Sequence, residues 1–289
     1  MLETEARNPQ SMHLQSMTNV EIAALMNQKN NDIQAAIART YENISLTVDA
    51  CVNSLKSGGR IIYIGAGTSG RLGVLDAAEC VPTFNAEPNQ VVGILAGGHD
   101  AMFQAAEGAE DNVSLGKHDL IKLHTDSKDT VIGIAASGRT PYVIGALNYA
   151  NEVGATTVAI ANNFGSKIGA IAKISIEAST GPEILTGSTR LASGTVQKEI
   201  LNTISTIAMI RFGKVYSNLM IDVKPSNEKL ERRARAIIKE ITDATAEEIE
   251  RALLDSGHHV GIAIVMLRNS ISADEASKLL QTHTVAELI

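Results

Sequence analysis

Five short apolar runs, rich in β-branched residues, alternate with helical patterns between residues 61 and 176. This alternation constrains the fold more than any other feature, because strands that alternate with helices join through right-handed crossovers into a parallel sheet. We therefore predict an α/β fold with a five-stranded parallel sheet flanked by helices. The predicted strands are Ile61–Ile64, Val91–Leu95, Val131–Ala135, Thr156–Ala161 and Lys173–Ile176.

Helical patterns also precede and follow the predicted sheet. Thr18 and Glu21 have the spacing of a capping box, which predicts a helix start. A second helix is predicted from about Asn31 to Lys56, because Gly58-Gly59 would end it. After a long helix from about Gly194 to Tyr216, further helical segments predict a small three-helix C-terminal subdomain. These segments are Leu230–Thr242, Ala246–Leu254, Val260–Leu267 and Ala273–Leu280.

Two loops rich in glycine and hydroxyl side chains each follow a predicted strand and begin a helix. Such a turn points free backbone N–H groups and the positive end of the helix at one place, which suits a phosphate group. Two of them in one parallel sheet predict a phosphorylated small molecule at the carboxyl ends of the strands. The first loop is Gly65-Ala66-Gly67-Thr68-Ser69-Gly70, and the second loop is Ala136-Ser137-Gly138-Arg139-Thr140-Pro141. The predicted phosphate-binding residues are Gly67, Thr68, Ser69, Ser137, Gly138, Arg139 and Thr140.

Each loop also has another interpretation. The first matches the G-x-G-x-x-G pattern of dinucleotide-binding folds. That site needs an acidic residue at the end of the second strand, where the sequence continues Leu95-Ala96-Gly97-Gly98 and the next acid is Asp100. Hydroxyl groups inside the loop instead favour a single phosphate or a sugar. In the second loop, Thr140 as N-cap and Pro141 at the first helical position also fit an ordinary capped turn.

Glu79 is predicted to end the helix that begins near Ser69. Its spacing from Leu72 and Leu75 extends an apolar stripe, so we expect a partly desolvated carboxyl group. Desolvation favours the protonated form, which makes Glu79 a candidate proton donor. The alternative is a frayed helix end with Glu79 in water.

Glu110 has a similar spacing from Phe103 and Ala106, which predicts a helical stripe that ends in a second candidate catalytic carboxylate. Glu107 and Asp111 lie close by in sequence. The alternative is therefore a solvated acidic turn.

The loop from Thr180 to Ser193 has the length and the hydroxyl content of a ligand lid. Glu183, Ser188 and Thr189 are its candidate substrate-binding residues. The alternative is a plain connection to the long helix that follows.

Composition disfavours several classes of protein. A net charge of −7, 3% aromatic residues and no Trp argue against a nucleic-acid partner. The seven histidines lack the spacing of a helical metal site, so no metal is predicted. Two cysteines are too few for a disulfide framework, and the apolar stretch Val260–Leu267 is too short to span a bilayer. No signal peptide is recognisable, so we expect a cytoplasmic protein with no membrane association.

Several long motifs are distributed along the chain. They are Gly65 to Gly73, Asp76 to Cys80 with Pro82-Thr83-Phe84, Glu107 to Asp111, Ala136 to Tyr142, Leu185 to Leu191, and Arg7-Asn8-Pro9 near the start. Together they resemble the N-acetylmuramic acid 6-phosphate etherase family over nearly the whole chain. His13 departs from the family pattern, which has an acidic residue there, and this departure concerns only the N-terminal arm.

The resemblance implies a sugar isomerase (SIS) domain at residues 58–220, which binds a phosphosugar. An N-terminal arm with helices at 1–57 would precede it, and a helical subdomain similar to ubiquitin-associated (UBA) folds would follow at 221–289. It also implies a bacterial homodimer that cleaves the lactyl ether of N-acetylmuramic acid 6-phosphate and needs no cofactor. Glu79 matches the family's proton donor, and Glu110 matches its second acid–base residue.

Two other functions suit the same fold. A phosphosugar-sensing regulator needs the loops but not both carboxylates, and it usually carries an effector domain, yet no basic DNA-binding module is recognisable here. An aldose–ketose isomerase uses a base at C2 but releases nothing. Release of lactate from the expected substrate distinguishes the three functions.

Overall fold

A computed structural model describes residues 2–104, 106–223 and 228–289. In these residues, five parallel strands form one sheet in the order β2-β1-β3-β4-β5. All five predicted strands are confirmed, with ends that move by one residue at most. The strands are β1 (Ile61–Gly65), β2 (Val91–Leu95), β3 (Thr130–Ala135), β4 (Thr156–Ala161) and β5 (Ile174–Glu177).

In the described residues, twelve α-helices and four short 3₁₀ helices make up the rest of the regular structure. The α-helices are α1 (Asn19–Ala38), α2 (Tyr41–Lys56), α3 (Gly67–Phe84), α4 (Val113–Lys122), α5 (Pro141–Glu152), α6 (Lys167–Ile171), α7 (Ala192–Arg211), α8 (Glu228–Thr242), α9 (Ala246–Asp255), α10 (Val260–Asn269), α11 (Ala273–Leu279) and α12 (Val285–Leu288). In the described part of the chain, no helix is long and apolar enough to cross a membrane.

The chain divides into two compact units. The first comprises Met1–Ala78 and Asn89–Ser205, and the second comprises Glu79–Pro88 and Thr206–Ile289. Helices α3 and α7 each begin in the first unit and end in the second. The three-part division at residues 57 and 220 stays a prediction.

The sheet forms the core of the first unit. Every residue of β1 and β3 is buried, which explains why these strands read as continuous apolar runs instead of alternating patterns. On one face, Ile62, Ile64 and Val131 pack with residues of α4, α5 and α6 such as Leu120 and Leu147. Because the strands are parallel, their carboxyl ends meet along one edge of the sheet, where both loops lie.

The N-terminal helices differ from the prediction at one boundary. The capping box of Thr18 and Glu21 is confirmed, but α1 continues to Ala38 and the break falls at Arg39-Thr40 instead of near Asn31. The Thr40 hydroxyl is buried and donates to the Ile37 carbonyl, while the Arg39 guanidinium donates to the carbonyl of Ser179, after β5. The break between α1 and α2 is thus accompanied by a contact between Arg39 and Ser179, which are far apart in sequence.

The second unit has a core built mainly from helices. Ile237, Leu253, Val260 and Ile264 are among its buried residues. The four predicted helical segments are present as α8 to α11, and α12 follows them, so the described residues after 227 form five helices and the predicted count of three was wrong. Capping boxes begin α9, α11 and α12, which explains why short polar segments form helices there.

Candidate active site

The first loop is shorter than its sequence suggests. β1 ends at Gly65 and α3 already begins at Gly67, so Thr68, Ser69 and Gly70 form the first helical turn. The first N–H groups of a helix have no partner inside it, and they point away from its start. The turn is anchored to the neighbouring strand because the Ala96 N–H, just after β2, donates to the Gly65 carbonyl over 3.0 Å.

The Ser69 side chain is turned into the protein. It is buried, and its hydroxyl donates to Oε1 of Gln197 on α7 over 2.9 Å. Thr68 is half-buried, whereas Gly67 is exposed at the start of the helix.

The second loop presents its hydroxyl groups differently. Thr140 occupies the N-cap position of α5, as predicted, but its hydroxyl makes no capping hydrogen bond. The Ser137 hydroxyl accepts the Arg139 N–H over 3.3 Å. Ser137 and Thr140 are half-buried and Arg139 is exposed, while Gly138 is buried with a φ of +68°.

Glu110 lies in a turn, so the predicted helical stripe from Phe103 to Glu110 was wrong. A short 3₁₀ helix ends at Met102, and turns follow up to Asn112, apart from the undescribed residue 105. The Glu110 backbone carbonyl accepts the Tyr142 N–H over 3.0 Å, which attaches this turn to the start of α5. The Tyr142 hydroxyl in turn donates to Asp119 over 2.7 Å, and burial together with this bond raises the pKa of the phenol.

A cavity of about 310 Å³ joins the first loop to the acidic turn. Gly67 and Arg71 of α3 line it on one side, and Glu107 and Glu110 line it on the other. The Arg71 guanidinium donates to the carbonyls of Ala101 and Met102 over 2.6 and 3.1 Å, which holds the segment before the acidic turn. Sequence analysis did not select Arg71, although its place one turn after Gly67 puts both residues on one helix face.

Glu79 belongs to the second unit and is exposed on α3. The helix continues beyond it to Phe84 with Pro82 inside, so the predicted helix end at Glu79 was wrong. The expected desolvation is absent too, because Glu79 itself is exposed and Leu75 on the same stripe is 49% exposed. The catalytic role of Glu79 stays a prediction.

Glu183 has a partner within the protein. Its carboxylate is fully buried and accepts the N–H groups of Ala192 and Ser193 over 3.0 and 2.8 Å. An anion at a helix N-terminus stabilises the helix, which explains why α7 begins at Ala192, two residues before the predicted start. Ser188 and Thr189 are half-buried in the loop before it. Substrate contacts by these three residues stay predictions.

Asp76 is a buried carboxylate that sequence analysis did not select. It lies on α3 and accepts hydrogen bonds from Asn202 Nδ2 and Ser205 Oγ on α7, over 2.6 and 3.1 Å. Burial raises the pKa of this carboxyl group, and hydrogen bonds from Asn202, Tyr63 and Ser205 oppose that effect. Within the described ranges, no group of three or more His, Cys, Asp or Glu side chains is arranged to hold a metal ion.

Curated relatives match this chain along nearly its whole length. An N-acetylmuramic acid 6-phosphate etherase of Lactobacillus acidophilus is 51% identical and covers 100% of this chain and 97% of its own. An N-acetylmuramic acid 6-phosphate etherase of Lactiplantibacillus plantarum is 54% identical, with 96% and 93% covered.

The chain belongs to the N-acetylmuramic acid 6-phosphate etherase family.

Domain models agree with the architecture of this etherase-family chain. The SIS domain matches residues 113–201, the glucokinase regulatory protein N-terminal SIS domain matches 43–151, and the C-terminal lid domain of glucokinase regulatory protein matches 217–262. Among solved structures, a phosphoheptose isomerase from Francisella tularensis superposes with a TM-score of 0.51 at 15% identity, covering 66% of this chain and 100% of its own. That likeness concerns the fold alone. The predicted SIS-type α/β fold is confirmed.

Proposed function

We propose that this etherase-family chain is a carbon–oxygen lyase. It cleaves the D-lactyl ether of N-acetylmuramic acid 6-phosphate and yields N-acetylglucosamine 6-phosphate and D-lactate. The proposal rests on sequence identities of 51 to 54% to relatives that are named for this activity and that match nearly the full chain. The regulatory alternative has weaker support, because the models named for a regulatory protein match only parts of the chain.

The reaction begins with removal of a proton. In the open-chain sugar, the C1 aldehyde makes the C2 proton acidic, and Glu110 takes it as general base. The position of Glu110 in the cavity beside the start of α3 supports this role, because a base must come within hydrogen-bond reach of the proton that it removes. Glu107 lines the same cavity and is the second candidate.

Lactate then leaves from C3. Its ether oxygen is a poor leaving group, so an acid must protonate it as the C3–O bond breaks, and Glu79 supplies that proton. The electrons of the broken C2–H bond form the C2=C3 double bond of an unsaturated aldehyde. Water adds to C3 with Glu110 as base, and a proton returns to C2, which completes the product. Each acid–base group contributes about 10²–10⁴ in rate.

The phosphate group binds between the two loops. The chain has a net charge of −7, so local donors must supply the attraction that no overall positive field provides. The first turn of α3 offers backbone N–H groups, and the second loop adds the hydroxyls of Ser137 and Thr140. Ser188 and Thr189 contact the sugar, and Glu183 holds the start of α7 near them.

The enzyme works as a cytoplasmic homodimer in the breakdown of N-acetylmuramic acid, as in the recycling of peptidoglycan. It takes a small phosphosugar as its partner and uses neither a metal nor a redox cofactor.

Release of D-lactate from N-acetylmuramic acid 6-phosphate tests the proposal. We expect lactate and N-acetylglucosamine 6-phosphate in equal amounts, and little turnover of unphosphorylated N-acetylmuramic acid. An isomerase would change the sugar without releasing lactate, and a regulator would bind it unchanged. Either outcome would reject the proposed function.

A further inference from the structure

Two adjacent asparagines after β4 are linked to the phosphate loops by buried hydrogen bonds: both bond to the second loop, and Asn162 reaches the first loop through Gln197. Asn162 and Asn163 are 1% and 2% exposed, and they follow directly on Ala161, the last residue of β4. Neither is among the residues that the sequence motifs selected. The proposal that follows rests on the proposed binding of a phosphosugar by these loops.

Asn162 reaches the first loop through Gln197. Its Nδ2 donates to the Ala178 carbonyl over 2.9 Å, and its Oδ1 accepts from Gln197 Nε2 over 2.9 Å. Gln197 Oε1 then accepts the Ser69 hydroxyl over 2.9 Å. A series of buried hydrogen bonds therefore runs from the first turn of α3 to Ala178, the residue after β5.

The donor-to-acceptor direction of this series of hydrogen bonds is fixed by the Ala178 carbonyl at its end. A backbone carbonyl can only accept, so Asn162 must present its NH₂ group to Ala178 and its oxygen to Gln197. Gln197 must then donate to Asn162 and accept from Ser69. Turning either amide would set like groups against each other and leave buried donors unpaired. The proton of Ser69 accordingly points inward, and it is not available for a phosphate group, which has only acceptors.

Asn163 holds the second loop. Its Nδ2 donates to the Ala136 carbonyl over 3.0 Å, and the Asn162 N–H donates to the same carbonyl over 3.0 Å. Asn163 also exchanges hydrogen bonds with Thr4, accepting its N–H over 3.3 Å and donating to its hydroxyl over 3.0 Å. The orientation of the Asn163 amide is fixed too, because the Thr4 N–H only donates and the Ala136 carbonyl only accepts.

We infer that Asn162, Asn163 and Gln197 are positioning residues of the phosphate site, which set the first turn of α3 and the second loop relative to each other. None of them needs to touch the substrate. Ser69 belongs to the same series of hydrogen bonds, so it serves the site through its backbone N–H and through its bond to Gln197. The hydroxyls of the second loop contact the phosphate directly. Small displacements of positioning groups are costly, since about 1 Å can change a rate 10²-fold.

Two conservative substitutions test this inference. Gln197→Glu keeps the acceptor for Ser69 but loses the donor to Asn162, and Asn163→Asp keeps the acceptor for Thr4 but loses the donor to Ala136. We expect each to weaken binding of N-acetylglucosamine 6-phosphate about tenfold in calorimetric titration, which corresponds to about 1.4 kcal/mol. We also expect KM to rise by a larger factor than kcat falls, because Glu79 and Glu110 are unchanged.

Asn151→Asp is the matched control. Asn151 Nδ2 donates to the Ile171 carbonyl over 2.9 Å and its Oδ1 accepts from Thr157, so the substitution breaks the same kind of bond. Thr157 lies at the start of β4, five residues before Asn162 and about 16 Å along the strand. This variant should lose thermal stability as the others do, but bind the sugar phosphate like the wild type.

Unchanged affinity in the folded Gln197 and Asn163 variants would overturn the inference, and so would an equal loss of affinity in the Asn151 control. Should Gln197→Glu fail to fold, Ser69→Ala removes only the last bond of the series, and wild-type affinity in that variant would also overturn it. Lactate release by the wild type is a separate measurement: its absence rejects the etherase reaction but not the positioning role. A wild-type protein that binds no sugar phosphate would reject both.

Discussion

The two phosphate loops both contain glycine and hydroxyl side chains and lie at the same edge of the sheet, but their hydroxyl groups are used differently. In the first loop, Ser69 is buried and donates to Gln197. In the second, Ser137 and Thr140 are half-buried, and the Thr140 hydroxyl makes no capping bond. A hydroxyl-rich motif therefore does not tell which of its side chains face a ligand, because the packing behind each loop decides that.

Neither loop carries a carboxylate that can take up the C2 proton, so the largest effect is expected at Glu110, which lines the cavity beside the first loop. Glu110→Gln should lose both exchange of the C2 proton with D₂O and hydration of the unsaturated intermediate, with a fall in rate of about 10²–10⁴. Exchange is measured by NMR, with Glu107→Gln as the comparison variant. If Glu110→Gln exchanges at the wild-type rate, the base lies elsewhere, and Glu107 is the next candidate.

Glu79→Gln should almost abolish lactate release but retain some exchange of the C2 proton. The amide keeps the shape of the side chain but cannot donate the proton that the leaving group needs, so the two halves of the elimination become separable. Lactate assay and D₂O exchange on one sample measure both. Near-normal lactate release would remove Glu79 from the mechanism.

The glycines of the two loops should differ in their tolerance of a side chain. A Cβ added at Gly138 would lie 2.3 Å from Ser166 Cβ, whereas one added at Gly67 meets nothing within 4 Å. Both have positive φ, so Gly67→Ala should cost about 1–2 kcal/mol from backbone strain alone, and Gly138→Ala should add about 1–3 kcal/mol of overpacking. Urea unfolding of the two variants measures the difference. Equal losses would show that the second loop adjusts freely.

Ser137→Ala should weaken binding of the sugar phosphate about tenfold, because a charge-assisted hydrogen bond is lost, and should hardly change the melting temperature. Ser69→Ala should also weaken binding, but unlike Ser137→Ala it should cost about 1–3 kcal/mol of folding stability, because it leaves the buried Oε1 of Gln197 without its donor. Calorimetric titration and melting curves of both variants test the contrast. Unchanged affinity in Ser137→Ala, or equal affinity of the wild type for phosphorylated and unphosphorylated sugar, would reject the phosphate site and favour a dinucleotide.

The smallest effect concerns Asp76, whose hydrogen bonds to Asn202 and Ser205 join α3 to α7, as the bond between Ser69 and Gln197 also does. Burial raises the pKa of Asp76 above its ordinary value of 3.8, so this group contributes stability below that pH and loses it as pH rises through the raised pKa. Asp76→Asn removes this loss. The melting temperature of the variant should therefore gain on that of the wild type between acidic and neutral pH. A gap that does not change with pH would contradict the prediction.

Much of the fold could be predicted because its causes are local. Strands buried on both faces must be apolar along their whole length, and capping boxes such as Thr18 with Glu21 satisfy helix N–H groups within four residues. The two strand–loop–helix turns also follow from local sequence. The carboxylates were found by their spacing and by family motifs, but the reason from spacing failed: Glu110 lies in a turn, and Glu79 is exposed.

The sequence by itself determined the sheet, the loops and the chemical groups available to them, because these depend on residues near one another along the chain. Only the tertiary structure decided how the groups are used. Ser69 and Gln197 are 128 residues apart, Asn163 and Thr4 are 159 apart, and Glu183 caps a helix nine residues further on. A hydrogen bond between distant residues leaves no periodicity in the sequence, since either partner alone resembles an ordinary polar residue. The direction of donation, which separates a positioning hydroxyl from a ligand-binding one, exists only once the buried partners are brought together.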